Sequence, residues 1–442
     1  MRSIIVLVIV SILIVGGIAL AQPSVARTTI RSQDGVARPS SVSEGNDNFW
    51  MGWSLPVNIS QCPTNLATFA TLGVTNGGQT IYAAWTDGRE SARNIYYAAS
   101  TDNGWNWDAP QPVLETASDS WRPSMVLSNT TPILAWAETT EPSERATYQL
   151  TLGNSTPMTV SNDHTVLAYA PRLVMGSGGE LHMALHGGLN AKPDILYSHR
   201  AAGATAWPTA TVVFTSTTTG SYYPAIAVSA DGQTIHLVWQ DNFDGAQSTV
   251  HYLRGQQSGD EVIWEPPLLL SEGITRSVRP AIALWGETVH VVWGEQSSGF
   301  EEQYISYNHS EDGGLNWSTP ARVFLEPVSA NNVAPTDVAP TLAIAPSGAL
   351  CVAWHGFHLS MVSKTEEIYL ACSSDQGVSW GSPVNISRSP DIMSIRPVLA
   401  IGSDGILNLA WQELAGSDPL SEYQVYYARS LPYSTMLPLV RK

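Results

Sequence analysis

The chain has 442 residues, room for two or three ordinary domains or for one large repeat domain. Charged residues make up only 13%, against a typical value of roughly 25%, and 35 glycines, 28 prolines and 16 tryptophans favour short strands and tight turns over helices. With 21 Lys and Arg against 38 Asp and Glu, the net charge of −17 argues against nucleic-acid or anionic-membrane partners. A cationic ligand or a neutral glycan suits such a surface better.

Residues 1–21 have the build of a secretory signal peptide. Arg2 precedes an apolar run from Ser3 to Leu20, and Ala19-Leu20-Ala21 forms an A-x-A cleavage site before Gln22. A secreted or cell-surface protein is expected, with a membrane role only if that segment stays uncleaved. Residues 22–48 are Ser, Thr, Arg, Gly and Pro with little apolar content, the composition of a flexible tether. Of the three cysteines, Cys62, Cys351 and Cys372, the last two lie on neighbouring predicted strands, where they could pair; buried free thiols are the expectation.

From Phe49 to Leu431 one unit recurs: an apolar strand, a turn, then an apolar strand ending in Trp. The Trp positions are Trp85, Trp136, Trp239, Trp293, Trp354 and Trp411, with Leu185 standing in for a seventh, at spacings of 49 to 61 residues. That spacing predicts an all-β propeller of four-stranded blades. The last unit lacks its fourth strand, and the N-terminus supplies a candidate. W-S-L-P-V-N-I-S (Trp53 to Ser60) matches W-G-S-P-V-N-I-S (Trp380 to Ser387) at six of eight positions. The N-terminal strand is therefore expected to complete blade seven and remove two open sheet edges. The remaining tail, 432–442, contains an apolar stretch, Met436 to Val440, too short to span a membrane.

Three units carry Ser-x-Asp-x-Gly-x-x-Trp between their third and fourth strands: Ser100 to Trp107, Ser310 to Trp317 and Ser373 to Trp380. Asp102, Asp312 and Asp375 are expected to hold the turn by local hydrogen bonds. Gly104, Gly314 and Gly377 supply positive φ, and Trp107, Trp317 and Trp380 cover the hairpin. The pattern resembles the Asp-box (BNR) repeat of sialidases and related β-propellers. That family has six blades, so six is the alternative to the seven counted here.

Antiparallel order puts the start of strand one and the end of strand two on one face, opposite the Asp boxes. Strand one opens with Arg122, Arg279 and Arg396, each before Pro, and with Tyr223 before Pro in unit four; in unit three Arg172 follows the Pro. Strand two ends in Asp87, Glu138, Asp241, Glu295 and Glu413, whereas units three and six end in His186-Gly187 and His355-Gly356. These residues should converge on the channel mouth, where propellers bind ligands.

The sialidase resemblance implies an arginine cluster for a substrate carboxylate, a Tyr nucleophile activated by an acid, and a retaining exo-glycosidase mechanism. On this chain those roles fall to Arg122, Arg279 and Arg396 with Glu138 and Glu413 for substrate binding, and to Tyr223 with Asp241 or Glu295 for catalysis. The competing expectation is structural: the arginines and acids pair into a ring of ion pairs, leaving a non-catalytic propeller that binds glycans or proteins. No cofactor and no metal are expected. His182 and His186, four apart on a strand, lack the helical spacing of a zinc motif. The expected partner is an extracellular glycan or glycoprotein, met by a monomer.

Overall fold

The structure is a computed structural model describing residues 30–31, 52–141, 144–160, 169–188, 192–217, 219–242, 247–259, 261–272, 276–296, 303–324, 338–356, 365–416 and 422–431. The expected signal segment and the 432–442 tail lie outside the described residues. Of the expected tether only Ile30–Arg31 is described, and it pairs antiparallel with Asn106–Trp107.

Seven antiparallel sheets follow one another as the blades of a propeller. Their first strands are Ala67–Val74, Ser120–Ser128, Tyr169–Met175, Ser221–Val228, Arg276–Trp285, Thr341–Ile344 and Ser394–Ile401. Their second strands are Ile81–Asp87, Thr131–Glu141, Leu181–Gly187, Thr234–Asp241, Thr288–Gln296, Leu350–Gly356 and Leu407–Leu414. Blade four carries an extra short strand, Leu268–Leu269, on its strand three. Seven is the count, not six.

Each strand-two core residue packs against the blade before it. Trp85 sits among Val57, Ala410 and Tyr427 of blade seven, Trp239 against Tyr197 of blade three, and Trp354 against Val292 and Tyr307 of blade five. Leu185 fills the same site between blades two and three with no exposed surface. Each buried indole removes a large apolar area from water, so the ring is held by the interfaces between its blades.

The ring closes as the sequence match requires. Val57 and Asn58 pair with Tyr427 and Tyr426, and Trp53 bridges Ser430. The corresponding blade-six residues, Val384 and Asn385, pair with Leu370 and Tyr369. The likeness extends to single atoms: the Ser60 and Ser387 hydroxyls accept from Val425 and Ile368 N–H at 2.9 and 3.0 Å. Asn58 and Asn385 both cap the N–H three residues on at 3.0 Å.

The Asp boxes join neighbouring blades. In each, the Ser hydroxyl donates to the Asp and accepts the Gly N–H, while the Asp also accepts the N–H four residues on. The glycines have φ of +84°, +89° and +92°. Their second requirement is space, because the strand-three Tyr of the preceding blade (Tyr427, Tyr252 or Tyr307) occupies the place a Cβ would take. The box Trp meets the same Tyr edge-on, at 4.8 Å for Trp107–Tyr427 and 4.7 Å for Trp317–Tyr252. Behind the Tyr stands a buried partner from its own blade: His236 Nδ1 lies 2.7 Å from the Tyr252 hydroxyl, and His290 Nδ1 is equally close to that of Tyr307. His182 and Tyr197 repeat the pair in blade three, so His182 is a core histidine.

One sequence expectation is overturned. Cys351 and Cys372 form a disulfide rather than free thiols, because the strand-two/strand-three register sets them directly opposite, with Cα atoms 4.1 Å apart. Cys351 occupies the position that His236 and His290 hold in their blades. Cys62 is free and buried.

Two measurements test this packing. Gly314→Ala should lose about 2 kcal/mol or more in denaturant unfolding, since its Cβ would meet the Tyr252 hydroxyl at 1.8 Å, whereas Gly153→Ala, with positive φ but open space, should lose about 1 kcal/mol. Burial holds His182, His236 and His290 down to about 4, from an ordinary value of 6.5. The unfolded chain binds these three protons first, so stability should fall as pH drops from 6.5 towards 4, by up to about 4 kcal/mol per pH unit for three groups. Below that, Asp312 takes over; hydrogen bonds from Asn316 and Ser310 hold it at about 2, so its stabilisation is lost progressively as pH falls from the ordinary 3.8 through about 2. Melting curves across pH 3–7 read the first window; an invariant midpoint there would contradict it.

Candidate functional site: the channel mouth

Strand one of six blades is broken by a bulge at one register position. The bulged residues are Phe69, Arg122, Ala170, Tyr223, Arg279 and Arg396, with φ between +46° and +55° although none is glycine. A non-glycine residue held there costs on the order of 1–3 kcal/mol. In five blades the next residue is a buried proline, which leaves no N–H to satisfy inside the bulge.

The N–H of the bulged residue itself is satisfied from the neighbouring blade. Arg122 N donates to Thr86 Oγ1 at 3.1 Å, Arg279 N to Gln240 Oε1 at 3.2 Å, Arg396 N to His355 Nδ1 at 3.3 Å and Phe69 N to Gln412 Oε1 at 3.0 Å. In every case the acceptor follows the strand-two Trp of the preceding blade. This is a ring of latches, and each one fixes the origin of a side chain at the mouth.

Those side chains meet. The Arg122 guanidinium lies 4.1 Å from the Phe69 ring and 5.5 Å from the Tyr223 ring. Arg279 covers Tyr223 at 3.9 Å, and Arg396 covers Phe69 at 4.8 Å. His186 sits against Tyr169, Tyr222 and Tyr223 at 5.6, 5.1 and 5.7 Å. The three expected arginines and Tyr223 are thus brought together, with Phe69, Arg172 and His186 added.

The electrostatics are those of crowded cations. Burial, then Arg279, Arg396 and Arg172, push Arg122 down, with Tyr223 pulling the other way. Burial and Arg279 push Arg172 down as well. Arg172 is nevertheless solvent-exposed, as a side chain can be that is reached by solvent yet surrounded by protein. His186 is driven well below its ordinary value by burial and by Arg122, Arg172 and Arg279, so it is neutral at physiological pH. Among the described residues no carboxylate contacts Arg122 or Arg172.

The strand-two acids have partners of their own on the outer side of the strand. Asp87, Glu138 and Glu413 accept from the indole N–H of the Trp two residues earlier, at 2.7, 3.2 and 3.0 Å. Asp87 also binds Arg89 of its own turn at 2.8 Å. Asp241 accepts from the Ser216 and Ser221 hydroxyls at 2.9 and 2.7 Å, and Glu295 from that of Ser306. The acid two residues after the Trp shares the indole's side of the strand. The residue between them points the other way, to the latch.

No group of three or more His, Cys, Asp or Glu among the described residues is placed to hold a metal. No protein-family model matches the chain, and no curated protein matches it. Solved structures do. An ulvan lyase from a new family of polysaccharide lyases aligns over 84% of this chain and 92% of its own, with a TM-score of 0.55 and 10% identity. A Dyadobacter fermentans protein of unknown function covers 86% and 98%, with a TM-score of 0.51 and 12% identity. The NanB sialidase of Streptococcus pneumoniae covers 84% and 69%, with a TM-score of 0.47 and 12% identity. The fold is a seven-bladed β-propeller. At these identities the likeness is one of fold alone.

Two substitutions separate latch from cluster. Gln412→Leu should orphan the Phe69 N–H and cost about 1–3 kcal/mol in chemical denaturation. Arg122→Met should do the opposite, raising the unligated protein's stability by on the order of 1 kcal/mol, because it relieves repulsion among buried like charges. Destabilisation by Arg122→Met would mean that a counter-charge already serves this arginine.

Proposed function

We propose that the channel mouth receives the acidic group of a carbohydrate, and that the protein is a secreted or cell-surface propeller directed at extracellular acidic glycans. The observation that carries this reading is the convergence of Arg122, Arg172, Arg279 and Arg396 around Tyr223 and Phe69. Guanidiniums crowded in an enclosed place raise one another's energy, and a bidentate anion relieves it. The aromatic faces beside them suit the apolar face of a sugar ring. The ulvan lyase that shares the fold is bound to a -[GlcA(1-4)Rha3S]- saccharide. A signal-like N-terminus and the Cys351–Cys372 disulfide support an oxidising, extracytoplasmic location.

Cleavage, on this reading, follows the sialidase pattern: Tyr223 gives its phenol proton to Asp241 or Glu295 and bonds to the anomeric carbon as the glycosidic bond breaks, the aglycone leaving as an alcohol with a proton from solvent. Water then attacks the same carbon, the sugar leaves with retention and Tyr223 regains a proton. The second reading is binding without cleavage. It is favoured by the hydroxyls of Ser216, Ser221 and Ser306, which already engage those two acids.

The deciding assay is hydrolysis of a fluorogenic sialic-acid glycoside, run beside a glycan array. Turnover abolished by both Arg279→Ala and Tyr223→Phe supports the exo-sialidase form. Acidic-glycan binding without turnover, weakened at least tenfold by Arg279→Ala, supports the binding form. Folded protein that retains no acidic glycan on the array rules out both.

A further inference from the structure

The cations at the mouth stand in two layers, and only the upper one repeats. The bulge layer is a device of the fold, held by latches and filled by whatever residue each blade supplies. The next register position lies two residues further along strand one, roughly 6–7 Å down the channel wall. In every blade this residue pairs with the one preceding the strand-two core position, as Thr71 does with Ala84 and Val398 with Ala410. Six blades place Thr71, Ser124, Ala225, Ala281, Thr341 and Val398 there, all small or medium-sized and none charged. Blade three places Arg172, opposite Ala184.

Recurrence at a repeat position is explained by the fold; a single departure from it is not. Arg172 does nothing described for the scaffold. Its hydrogen bond reaches only the carbonyl of its own neighbour, Pro171, at 3.4 Å. No described carboxylate meets it, its surface is open to solvent, and Arg279 repels it. Its blade supplies only Ala170 at the bulge above it and Gly187 at the end of strand two, with neutral His186 stacked on Tyr169 beside them. A cation kept without a partner below them serves something that enters from outside.

We propose that the ligand carries two anionic groups about one sugar unit apart. The first is held in the bulge layer, where Arg122 and Arg279 flank Tyr223. The second reaches down to Arg172. This deepens the acidic-glycan reading and rests on it. The shared chemistry is a dianionic saccharide, either a uronate next to a sulfate ester or two adjacent uronates.

Titration calorimetry at one fixed ionic strength tests it with four probes: cellobiose, methyl glucuronide, digalacturonic acid and a chondroitin 4-sulfate disaccharide. At least one dianion should bind ten or more times tighter than methyl glucuronide, and the stronger of the two names the second group. Arg172→Met should lower that dianion to the monoanion's affinity and leave methyl glucuronide within twofold, whereas Arg279→Met should weaken both. A thermal melt confirms that each variant is folded. Equal affinity for monoanion and dianions, or an Arg172→Met variant that weakens both alike, overturns the two-anion proposal while leaving an acidic-glycan site. No binding of any charged probe overturns the acidic-glycan reading itself, and the proposal with it.

Discussion

The strand-one bulge is the constraint on which the mouth depends. It holds a non-glycine residue at positive φ and detaches that residue's N–H from the ladder, and both effects cost stability. The cost is offset from the preceding blade, through a side chain that follows the strand-two Trp. Because donor and acceptor belong to different blades, the bulge keeps its geometry only while the blades stay in register. Side-chain placement at the mouth is thus tied to ring assembly itself. That explains how Arg122, Arg279 and Arg396, from three separate blades, reach one region without loops to position them.

The two faces divide the work. On the rim opposite the mouth, each Asp box grips the Tyr of the preceding blade, and a buried His supports that Tyr from behind in blades four and five. The Ser, Asp and Gly groups of each box are hydrogen-bonded to one another, which fixes the turn locally. The mouth is organised differently. Three of its strand-two acids, Asp87, Glu138 and Glu413, turn back to their own indoles. Four arginines collect near the centre of a protein whose net charge is −17, and among the described residues no carboxylate contacts Arg122 or Arg172. Global charge argues for a cationic or neutral ligand; the local field argues for an anion, and over the few ångströms of a binding site the local field governs.

Much of this is legible in the sequence wherever the chain repeats itself. The Trp ladder, the Asp boxes and the W-x-x-P-V-N-I-S match each occur more than once, so the blade count and the closing strand follow from comparing the chain with itself. The Arg-Pro and Tyr-Pro starts of strand one likewise mark the mouth. What is hidden is pairwise. Phe69 escapes notice because Ala70 replaces the proline, and the latches join residues 36, 39, 41 and 343 positions apart with no shared spacing. The alternation of Arg and acid does not reveal that Asp87, Glu138 and Glu413 share one side of the strand with a Trp and accept its indole N–H. The disulfide depends on a register that two isolated cysteines do not reveal. His186 has one signal, the missing acid after it.

The closing strand has a consequence for how such a chain comes to be folded. Ser54 and Arg429 are hydrogen-bonded across 375 positions, so the last sheet is finished by almost the earliest part of the domain to be made. During synthesis that segment must wait, unpaired, while seven sheets assemble behind it. Contacts of such long sequence separation slow folding, and until they form, blades seven and one lack the strand between them that shuts the ring. The Cys351–Cys372 bond, spanning only 21 positions, can form well before that moment. The most hazardous interval in the protein's life is accordingly the short one before closure, when an open β edge and an unclaimed strand coexist in one molecule and can as easily find another copy.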